Sequence, residues 1–329
     1  MPRLRIGLCP TLTQIVLEKL SRIGVHDVVD ILTTDAVEVS QKAKVSYKDV
    51  LSIQRVLLAQ YSAFPMNAAD FYVDVMSSVA ILSTGSSNID QLLDGGLYTA
   101  EVTEVVGPVA SGKTQLCLSI ALSVAMETRQ TVVYFDTGSS FDSGRLQDMM
   151  EARQKPLTQT VEMIGSLIRC CKVYSVFELL SGLETLKASL DDQTDKLCST
   201  SLKLVIVDCV AAVISPVLGG FQTDGHAYMM HISRVLKTLA VEYSVAVLIT
   251  NNVVYGDGGA TRPAMGKTWS HVPNTRVELL KPLDSVGELT PRPQSHTDSD
   301  HQRHAILLKS DRLQTNVSTT FVISDYGVQ

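Results

Sequence analysis

The segment GPVASGKT at residues 107–114 has the types and spacing of a phosphate-binding loop, G-x-x-x-x-G-K-[ST]. Its small residues let backbone N–H groups approach phosphate oxygens, and the helix that should follow directs further N–H groups toward them. We expect Gly107, Ser111 and Gly112 to line the loop. Lys113 would bridge the β- and γ-phosphates, and the Thr114 hydroxyl would coordinate Mg²⁺. The pattern therefore predicts a nucleoside triphosphate site.

An acidic residue, Asp208, directly follows the apolar run at 204–207. If this run is a buried strand, the carboxylate stands at its carboxyl end, where it can hold the Mg²⁺ shell together with Thr114. An acid at the end of a buried strand is common, so Asp208 alone is weak evidence. Together with the phosphate loop, Asp208 predicts a metal site. The two motifs do not indicate which function the bound nucleotide serves.

Short apolar runs alternate with helical patterns from residue 79 onward, and this alternation would position the loop and Asp208. Near-continuous Val/Ile/Leu strands of this kind favour an α/β fold with a mostly parallel sheet that has helices on both faces. Predicted strands are 101–106, 131–135, 172–176, 202–207 and 245–250, and predicted helices between them include 176–190 and 225–243. Later runs at 275–280, 305–308 and 319–323 should extend the sheet.

The chain divides into three predicted parts. Residues 1–60 have helical periodicity throughout, with a capping-box pattern at Ser46 and Asp49, and form either a helix-hairpin-helix-like unit or a small bundle used for packing. Residues 61–79 are a predicted linker, and 80–329 the core. Within the core, 283–303 is a polar stretch predicted to be a mobile insertion, and its histidines suit a solvated loop better than a metal site.

Composition limits the classes of partner. The 329 residues carry a net charge of −6, with residues 1–60 at +2 and the remainder at −8, which excludes a strongly basic coat for nucleic acid. Nucleic-acid binding by the core would need a local patch. The six cysteines form no C-x-x-C pair, and no apolar run is long enough to span a bilayer, so we expect a reducing compartment and no membrane segment.

Several motifs resemble the RecA-type recombinase family. The resemblance covers about 80–329, and 1–60 is similar to the helical N-terminal domain of eukaryotic and archaeal members. The core motifs are at 83–85, 90–96, 104–107, 250–253, 263–276 and 321–328. Stretches at 62–67, 80–85, 215–220 and 269–270 most resemble the D-type paralogue group of the eukaryotic recombinase. The resemblance implies a RecA-like P-loop ATPase core with ATP and Mg²⁺, a nuclear location, and partners among other paralogues, the strand-exchange recombinase and single-stranded DNA.

Two departures from the family pattern bear on catalysis. In active members, a glutamate that activates water follows the strand that corresponds to 134–137, but here that position holds Gly138. In the family's second DNA-facing loop, Asn252 replaces a glutamine. Losing a general base typically costs ~10²–10⁴-fold in rate, so we expect weak hydrolysis and assign no catalytic residue. Arg145 matches the arginine that stacks on adenine in relatives, or is a solvated helix arginine.

The second loop, 253–269, offers Arg262, Lys267 and Trp269 as DNA contacts. An aromatic side chain beside two cations can stack on a base and hold phosphate, as in single-strand binders. The alternative is that Trp269 packs in the core and the cations are solvated. The first loop, 215–225, has no Lys or Arg, so binding should be modest and salt-sensitive.

Partner binding is predicted at the linker, where relatives insert an aromatic residue into a neighbouring subunit and add a strand to its sheet. Candidates are Phe64 and Phe71, but the fourth place of each motif holds Asn67 or Asp74 instead of alanine. We therefore favour pairing with other paralogues over a homofilament. The leading hypothesis is an ATP-gated assembly subunit in recombination; the alternatives are a strand-exchange ATPase with its own filament and a nucleotide kinase.

Overall fold

The computed structural model describes residues 4–62, 65–153, 161–192, 202–218, 224–255, 261–282 and 301–329. The chain forms two compact units, Met1–Val75 and Met76–Gln329, which are described separately. Over the described ranges, no helix has both the length and the apolar character that crossing a bilayer requires.

The N-terminal unit consists of short helices around one apolar core. Leu20, Val39 and Ile53 are fully buried at its centre. A capping box joins Asp27 and Asp30, whereas Ser46 occupies the N-cap position of the fourth helix without a side-chain cap bond. The helices are α1 (Gln14–Arg22), α2 (Val28–Thr33), α3 (Ala36–Ala43) and α4 (Tyr47–Tyr61).

A fifth helix, α5 (Ala68–Ser78), lies within the predicted linker. The Asn67 side chain accepts a hydrogen bond from the Asp70 N–H at 2.9 Å, and the Asn67 carbonyl accepts from the Phe71 N–H at 3.1 Å. An Asn in this position satisfies N–H groups that a helix start leaves free. Residues 68–78 are therefore helical, whereas the family resemblance implies an extended linker that adds a strand to the sheet of a neighbouring subunit.

Within the described residues, the larger unit is built on a ten-stranded sheet, and the mostly parallel character of this sheet confirms the predicted fold class. A separate hairpin joins β1 (Ile81–Leu82) and β2 (Leu97–Tyr98), and the strands of the sheet are β3 (Val102–Gly107), β4 (Thr131–Asp136), β5 (Ile168–Lys172), β6 (Leu202–Asp208), β7 (Ala246–Tyr255), β8 (Thr261–Pro263), β9 (Thr275–Leu280), β10 (Gln302–Lys309), β11 (Val317–Ser324) and β12 (Gly327–Val328). Along the sheet the order is β12-β11-β10-β9-β3-β7-β6-β4-β5, with β8 paired to β7. Strands β9, β3, β7, β6, β4 and β5 run parallel, and the others pair antiparallel.

Helices cover both faces of this sheet, giving two apolar layers. One layer includes the helix after the phosphate loop, with Leu116 and Ile120, and the other includes Leu183 and Leu236 from two long helices. The described helices are α6 (Ser87–Leu92), α7 (Lys113–Ser123), α8 (Ser143–Arg153), α9 (Val161–Gly165), α10 (Val176–Asp192), α11 (Val210–Ile214), α12 (Asp224–Glu242) and α13 (Gly266–Trp269).

One predicted strand is wrong. Residues 172–176 were expected to be extended, but the strand is β5, Ile168–Lys172, and α10 already begins at Val176. Because β5 is the edge strand of the sheet, Cys170 and Cys171 are exposed and the strand has no apolar run. Of the predicted insertion, 283–300 lies outside the described residues, and β10 begins at Gln302.

Candidate nucleotide and nucleic-acid sites

The predicted phosphate loop connects a buried strand to a buried helix. Strand β3 is buried along its whole length and ends at Gly107, and α7 begins at Lys113 with Gly112 as its N-cap at φ +102°. This strand–loop–helix order is the context that the phosphate-binding mechanism requires. The N–H groups at the start of α7 therefore face the loop, as an anion site needs.

Two glycines are required by the geometry of this loop. A Cβ on Gly107 would stand 2.5 Å from the Leu279 carbonyl oxygen and 2.6 Å from Ser111 Oγ. At Gly112 the left-handed backbone disfavours any side chain. Ser111 Oγ is buried and has no hydrogen-bond partner within the described ranges. An unpartnered hydroxyl inside a glycine cradle fits a phosphate oxygen.

The Lys113 ammonium is enclosed by the same loop. Its Nζ donates to the carbonyl oxygens of Gly107 at 2.7 Å and Pro108 at 2.9 Å. Burial lowers the pKa of this ammonium, because desolvation disfavours its charged form. A phosphate in the loop would restore a counter-charge to this group.

Asp208, at the carboxyl end of β6, is surrounded by hydroxyl groups. Its Oδ2 accepts from Thr114 Oγ1 at 2.7 Å, from the Tyr134 hydroxyl at 2.8 Å and from Ser140 Oγ at 3.3 Å. Thr250 Oγ1 donates to the other oxygen at 2.5 Å. Burial raises the pKa of Tyr134, so its phenol remains a donor. A carboxylate beside a threonine hydroxyl supplies the hard oxygen ligands that Mg²⁺ prefers.

Three of these hydroxyls were not predicted as site residues. Tyr134 and Thr250 lie on β4 and β7, the two neighbours of β6, and Ser140 follows β4. The carboxyl ends of parallel strands meet at one edge of a sheet. Sequence analysis predicted the strands but not their order, so it could not place β4 and β7 beside β6.

The position of the missing glutamate has no substitute base among its described neighbours. Gly138 provides only a backbone N–H, which donates to Asp136 Oδ1 at 3.2 Å. Asp136 is fully buried, and it also accepts from the N–H groups of Ser140 at 3.0 Å and Phe141 at 3.2 Å. Its carboxylate therefore organises the turn and is not free to activate water.

Arg145 lies on α8 beside the start of α7. Its Nε donates to Gln115 Oε1 at 3.0 Å, and a second guanidinium nitrogen donates to the Ser324 carbonyl at 2.5 Å. A solvated helix arginine is therefore the wrong description, since the guanidinium bridges α7 and the closing strands. Stacking on adenine stays a prediction.

The second loop is an extension of the sheet. Strand β8 pairs antiparallel with the end of β7, and Arg262 stands opposite Val254 in this hairpin. Both predicted cations, Arg262 and Lys267, are exposed. The hairpin tip, 256–260, lies outside the described residues, as does 219–223 of the first loop.

Trp269 does not contribute to an exposed face. Its side chain is 0% exposed, and its Nε1 donates to Glu104 Oε1 at 2.9 Å. The prediction that Trp269 stacks on a base is therefore wrong, and the core-packing alternative describes it. The exposed aromatic of this loop is Tyr255, at 78%. Sequence analysis missed it, although it lies in the same loop as the cations.

Two residues, Phe64 and Phe71, were predicted to bind a partner, and the structure describes Phe71. Phe64 lies outside the described residues. Phe71, on α5, is 56% exposed, and its neighbours Tyr72, Val73 and Met76 are exposed by 61–66%. Large exposed apolar side chains of this kind are typical of protein–protein contact sites.

Comparison with known proteins gives two family matches. A family model described as the RAD51D N-terminal domain matches residues 1–60, and one described as Rad51 matches 76–285. DNA repair protein RAD51 homolog 4 of Bos taurus is 43% identical over 327 residues, covering 98% of this chain and 96% of the relative. The Mus musculus protein of the same name is 40% identical, with coverage of 100% and 97%. DNA repair and recombination protein RadA of Aeropyrum pernix is 27% identical, with coverage of 84% and 85%.

Proposed function

Because the chain belongs to the Rad51 family, we propose that it is an ATP-binding paralogue that acts in DNA repair by homologous recombination. It would work in the nucleus as a subunit of a heteromeric paralogue complex that assists assembly of the recombinase on single-stranded DNA. The names of its relatives, which concern DNA repair and recombination, support the general role.

The observation that carries the ATP part is the geometry of residues 107–114 beside Asp208. A glycine cradle with an unpartnered Ser111 hydroxyl and an enclosed Lys113 ammonium fits the β- and γ-phosphates. Thr114 and Asp208, already joined at 2.7 Å, would hold Mg²⁺. The metal, when bound, would neutralise phosphate charge, and the chain's own residues would orient the nucleotide.

Slow turnover is the second part of the proposal. Gly138 supplies no side chain, and the Asp136 carboxylate is occupied by three backbone N–H groups. Bound ATP would then stabilise a subunit interface rather than drive rapid cycles. The alternative, a strand-exchange ATPase that forms its own filament, requires a base that these neighbours do not offer.

Single-stranded DNA would contact the hairpin of β7 and β8. Arg262 and Lys267 supply exposed cations, and Tyr255 takes the stacking role that Trp269 cannot have. The residues after 60 carry a net negative charge, the same sign as the DNA phosphates, so DNA binding requires a local basic patch of this kind. The exposed apolar side chains of α5, including Phe71, are the proposed contact with another paralogue.

The double variant Arg262→Ala/Lys267→Ala is expected to bind a fluorescent single-stranded oligonucleotide about tenfold more weakly at moderate salt. Removing two phosphate contacts should also lower the slope of log affinity against log salt by about 1.4. Tyr255→Ala should cost about 1–3 kcal/mol of stacking and leave that slope unchanged. Fluorescence anisotropy at several salt concentrations measures both quantities.

A matched control removes the same charge elsewhere. Arg129 lies two residues before β4, and Lys203 is the second residue of β6. Both are therefore at the amino ends of parallel strands, whereas the hairpin lies at the carboxyl end of β7. Arg129→Ala/Lys203→Ala should bind DNA as the unmodified chain does. Equal losses in the two double variants would mean a general charge effect and would remove the hairpin from the proposal.

A further inference from the structure

Strands β10 and β11 place two side chains against the phosphate loop. A Cβ on Gly112 would lie 2.7 Å from Ile323 Cδ1 and 4.0 Å from Arg303 Cγ. Gly112 is the N-cap of α7, the residue at which the helix turns out of the loop. The β10–β11 wall, defined as Arg303 and Ile323, therefore stands beside the start of α7. The phosphate-loop motif contains neither residue.

The pleat of the two strands directs both side chains to this place. Successive side chains of a strand point to opposite faces of the sheet. Ala305 and Leu307 are buried in the apolar layer that contains α7, and Arg303 precedes Ala305 by two residues, so it points to the same face. Ile323 likewise follows the buried Phe321 by two residues in β11 and packs against the same layer. The fold thus delivers a guanidinium to the face where α7 begins.

Three cationic side chains surround the first turn of α7. Lys113 is the first residue of the helix. Arg145 Nε donates to Gln115 Oε1 at 3.0 Å. Arg303 stands against the N-cap residue. The N–H groups of a helix start add further positive potential, so this arrangement is stabilised when an anion lies among the cations.

Two carboxylates approach this turn from different sides. Asp208 accepts from the Thr114 hydroxyl at 2.7 Å, on the side of β6. Asp325 Oδ1 lies 4.0 Å from Arg145 Nη1, and its side chain is 98% exposed, so water screens its charge. Neither of these contacts involves Arg303. A multiply charged anion therefore fits the turn better than these two carboxylates alone do.

The Arg303 guanidinium is held beside the loop by its own strand. Its Nη1 donates to the Gln302 carbonyl oxygen at 2.7 Å. This acceptor is neutral, so the bond orients the guanidinium without removing its charge. A guanidinium presents its N–H donors in a planar fork that matches the oxygens of a phosphate group.

The strand order indicates which part of a nucleotide Arg303 can reach. Strands β10 and β6 lie on opposite sides of β3, the strand that leads into the loop. The Mg²⁺ ligands Thr114 and Asp208 would hold the β- and γ-phosphates on the β6 side. Arg145, the predicted adenine contact, donates to the carbonyl of Ser324, which follows Ile323 in β11. The α-phosphate, which joins the nucleoside to the β-phosphate, would then face the β10–β11 wall.

We propose that Arg303 binds the α-phosphate of the nucleotide. The guanidinium of Arg303 donates to a non-bridging oxygen of this phosphate, and the apolar Ile323 side chain beside it limits access of water. This inference rests on the proposed binding of Mg·ATP and adds a binding residue from a strand far from the phosphate loop in the sequence.

The first test is calorimetric titration of the full chain with Mg·ATP. Arg303→Ala should weaken binding about tenfold, which corresponds to about 1.4 kcal/mol. Arg234→Ala is the matched control, because it removes the same charge from an exposed position on α12, in the apolar layer on the other face of the sheet. This control should bind Mg·ATP as the unmodified chain does.

The second test locates the contact on the α-phosphate. It uses the two diastereomers of ATP in which sulfur replaces one non-bridging oxygen of that phosphate. Sulfur is a weak hydrogen-bond acceptor, so the unmodified chain should bind one diastereomer about tenfold more weakly than the other. Arg303→Ala should reduce this preference to less than about threefold. A merely structural role of Arg303 would weaken both diastereomers and leave their ratio unchanged.

The outcomes separate this inference from the proposed function. The inference is overturned if Arg303→Ala binds Mg·ATP as Arg234→Ala does, if it keeps the diastereomer preference, or if the unmodified chain has no such preference. A chain that does not bind Mg·ATP at all would refute the proposed function, and the inference with it.

Arg303→Lys covers the case in which Arg303→Ala does not fold. This variant keeps the positive charge and replaces the planar fork with a single ammonium group. It should bind Mg·ATP more weakly than the unmodified chain and show a smaller diastereomer preference. An unchanged affinity and an unchanged preference in a folded Arg303→Lys protein would overturn the assignment of Arg303.

Discussion

Lys113→Ala is expected to weaken Mg·ATP binding by about 100-fold, since each hydrogen bond to a charged group contributes roughly 1.5–3 kcal/mol. The ammonium is enclosed by the loop, where it donates to the carbonyl oxygens of Gly107 and Pro108. Calorimetric titration of the full chain measures the effect. The fold should persist, because the half-buried Lys113 side chain is not part of either buried apolar cluster of the larger unit.

Lys172→Ala provides the control for this prediction. Lys172 is exposed at the end of the edge strand β5, and its removal changes the net charge by the same amount. Its ATP affinity should match that of the unmodified chain. If Lys113→Ala also retained its affinity within about threefold, the phosphate-loop assignment would be contradicted, because less than 1.4 kcal/mol would then separate the two proteins.

Arg276→Ala should destabilise the larger unit by about 3–5 kcal/mol, because it leaves a buried carboxylate without its cation. Glu104 is fully buried, and the Arg276 side chain that pairs with it is 10% exposed. Urea unfolding followed by Trp269 emission reports on this unit, since the chain has no other tryptophan.

Arg312→Ala removes a comparable but more exposed arginine–glutamate pair. Arg312 is 27% exposed; it bonds Glu101 at 2.8 Å and stacks 3.5 Å from the centre of the Tyr98 ring. We expect a loss of about 1 kcal/mol, the range of surface ion pairs and exposed cation–π contacts. Equal losses for Arg276→Ala and Arg312→Ala would show that burial of Glu104 carries no special cost.

The phosphate loop was predictable from the sequence because its chemistry lies in eight consecutive residues. The strand before it and the helix after it are both apolar, so their pattern predicted the strand–loop–helix order that the structure has. Asp208 was predictable for a similar local reason, as the polar end of an apolar run. The fold class followed from the alternation of such runs with helices.

The environment of Trp269 was not predictable, because its partner Glu104 is 165 residues away in the chain. A tryptophan near two cations looks the same in sequence whether its ring is buried or exposed. Strand β5 was misplaced because an edge strand with exposed cysteines lacks the apolar run of its neighbours. Helix α5 did have a local signal, Asn67 followed three residues later by Asp70, which is a cap pattern.

We propose that this protein holds ATP without the base needed to hydrolyse it quickly. The most direct measurement compares single-turnover and steady-state ATP hydrolysis by the full chain, with and without single-stranded DNA. The hydrolysis rate of the Lys113→Ala variant serves as the background. The account predicts tight Mg·ATP binding with turnover close to that background and insensitive to DNA. Rapid, DNA-stimulated hydrolysis that Lys113→Ala abolishes would contradict it and favour a strand-exchange ATPase with its own filament.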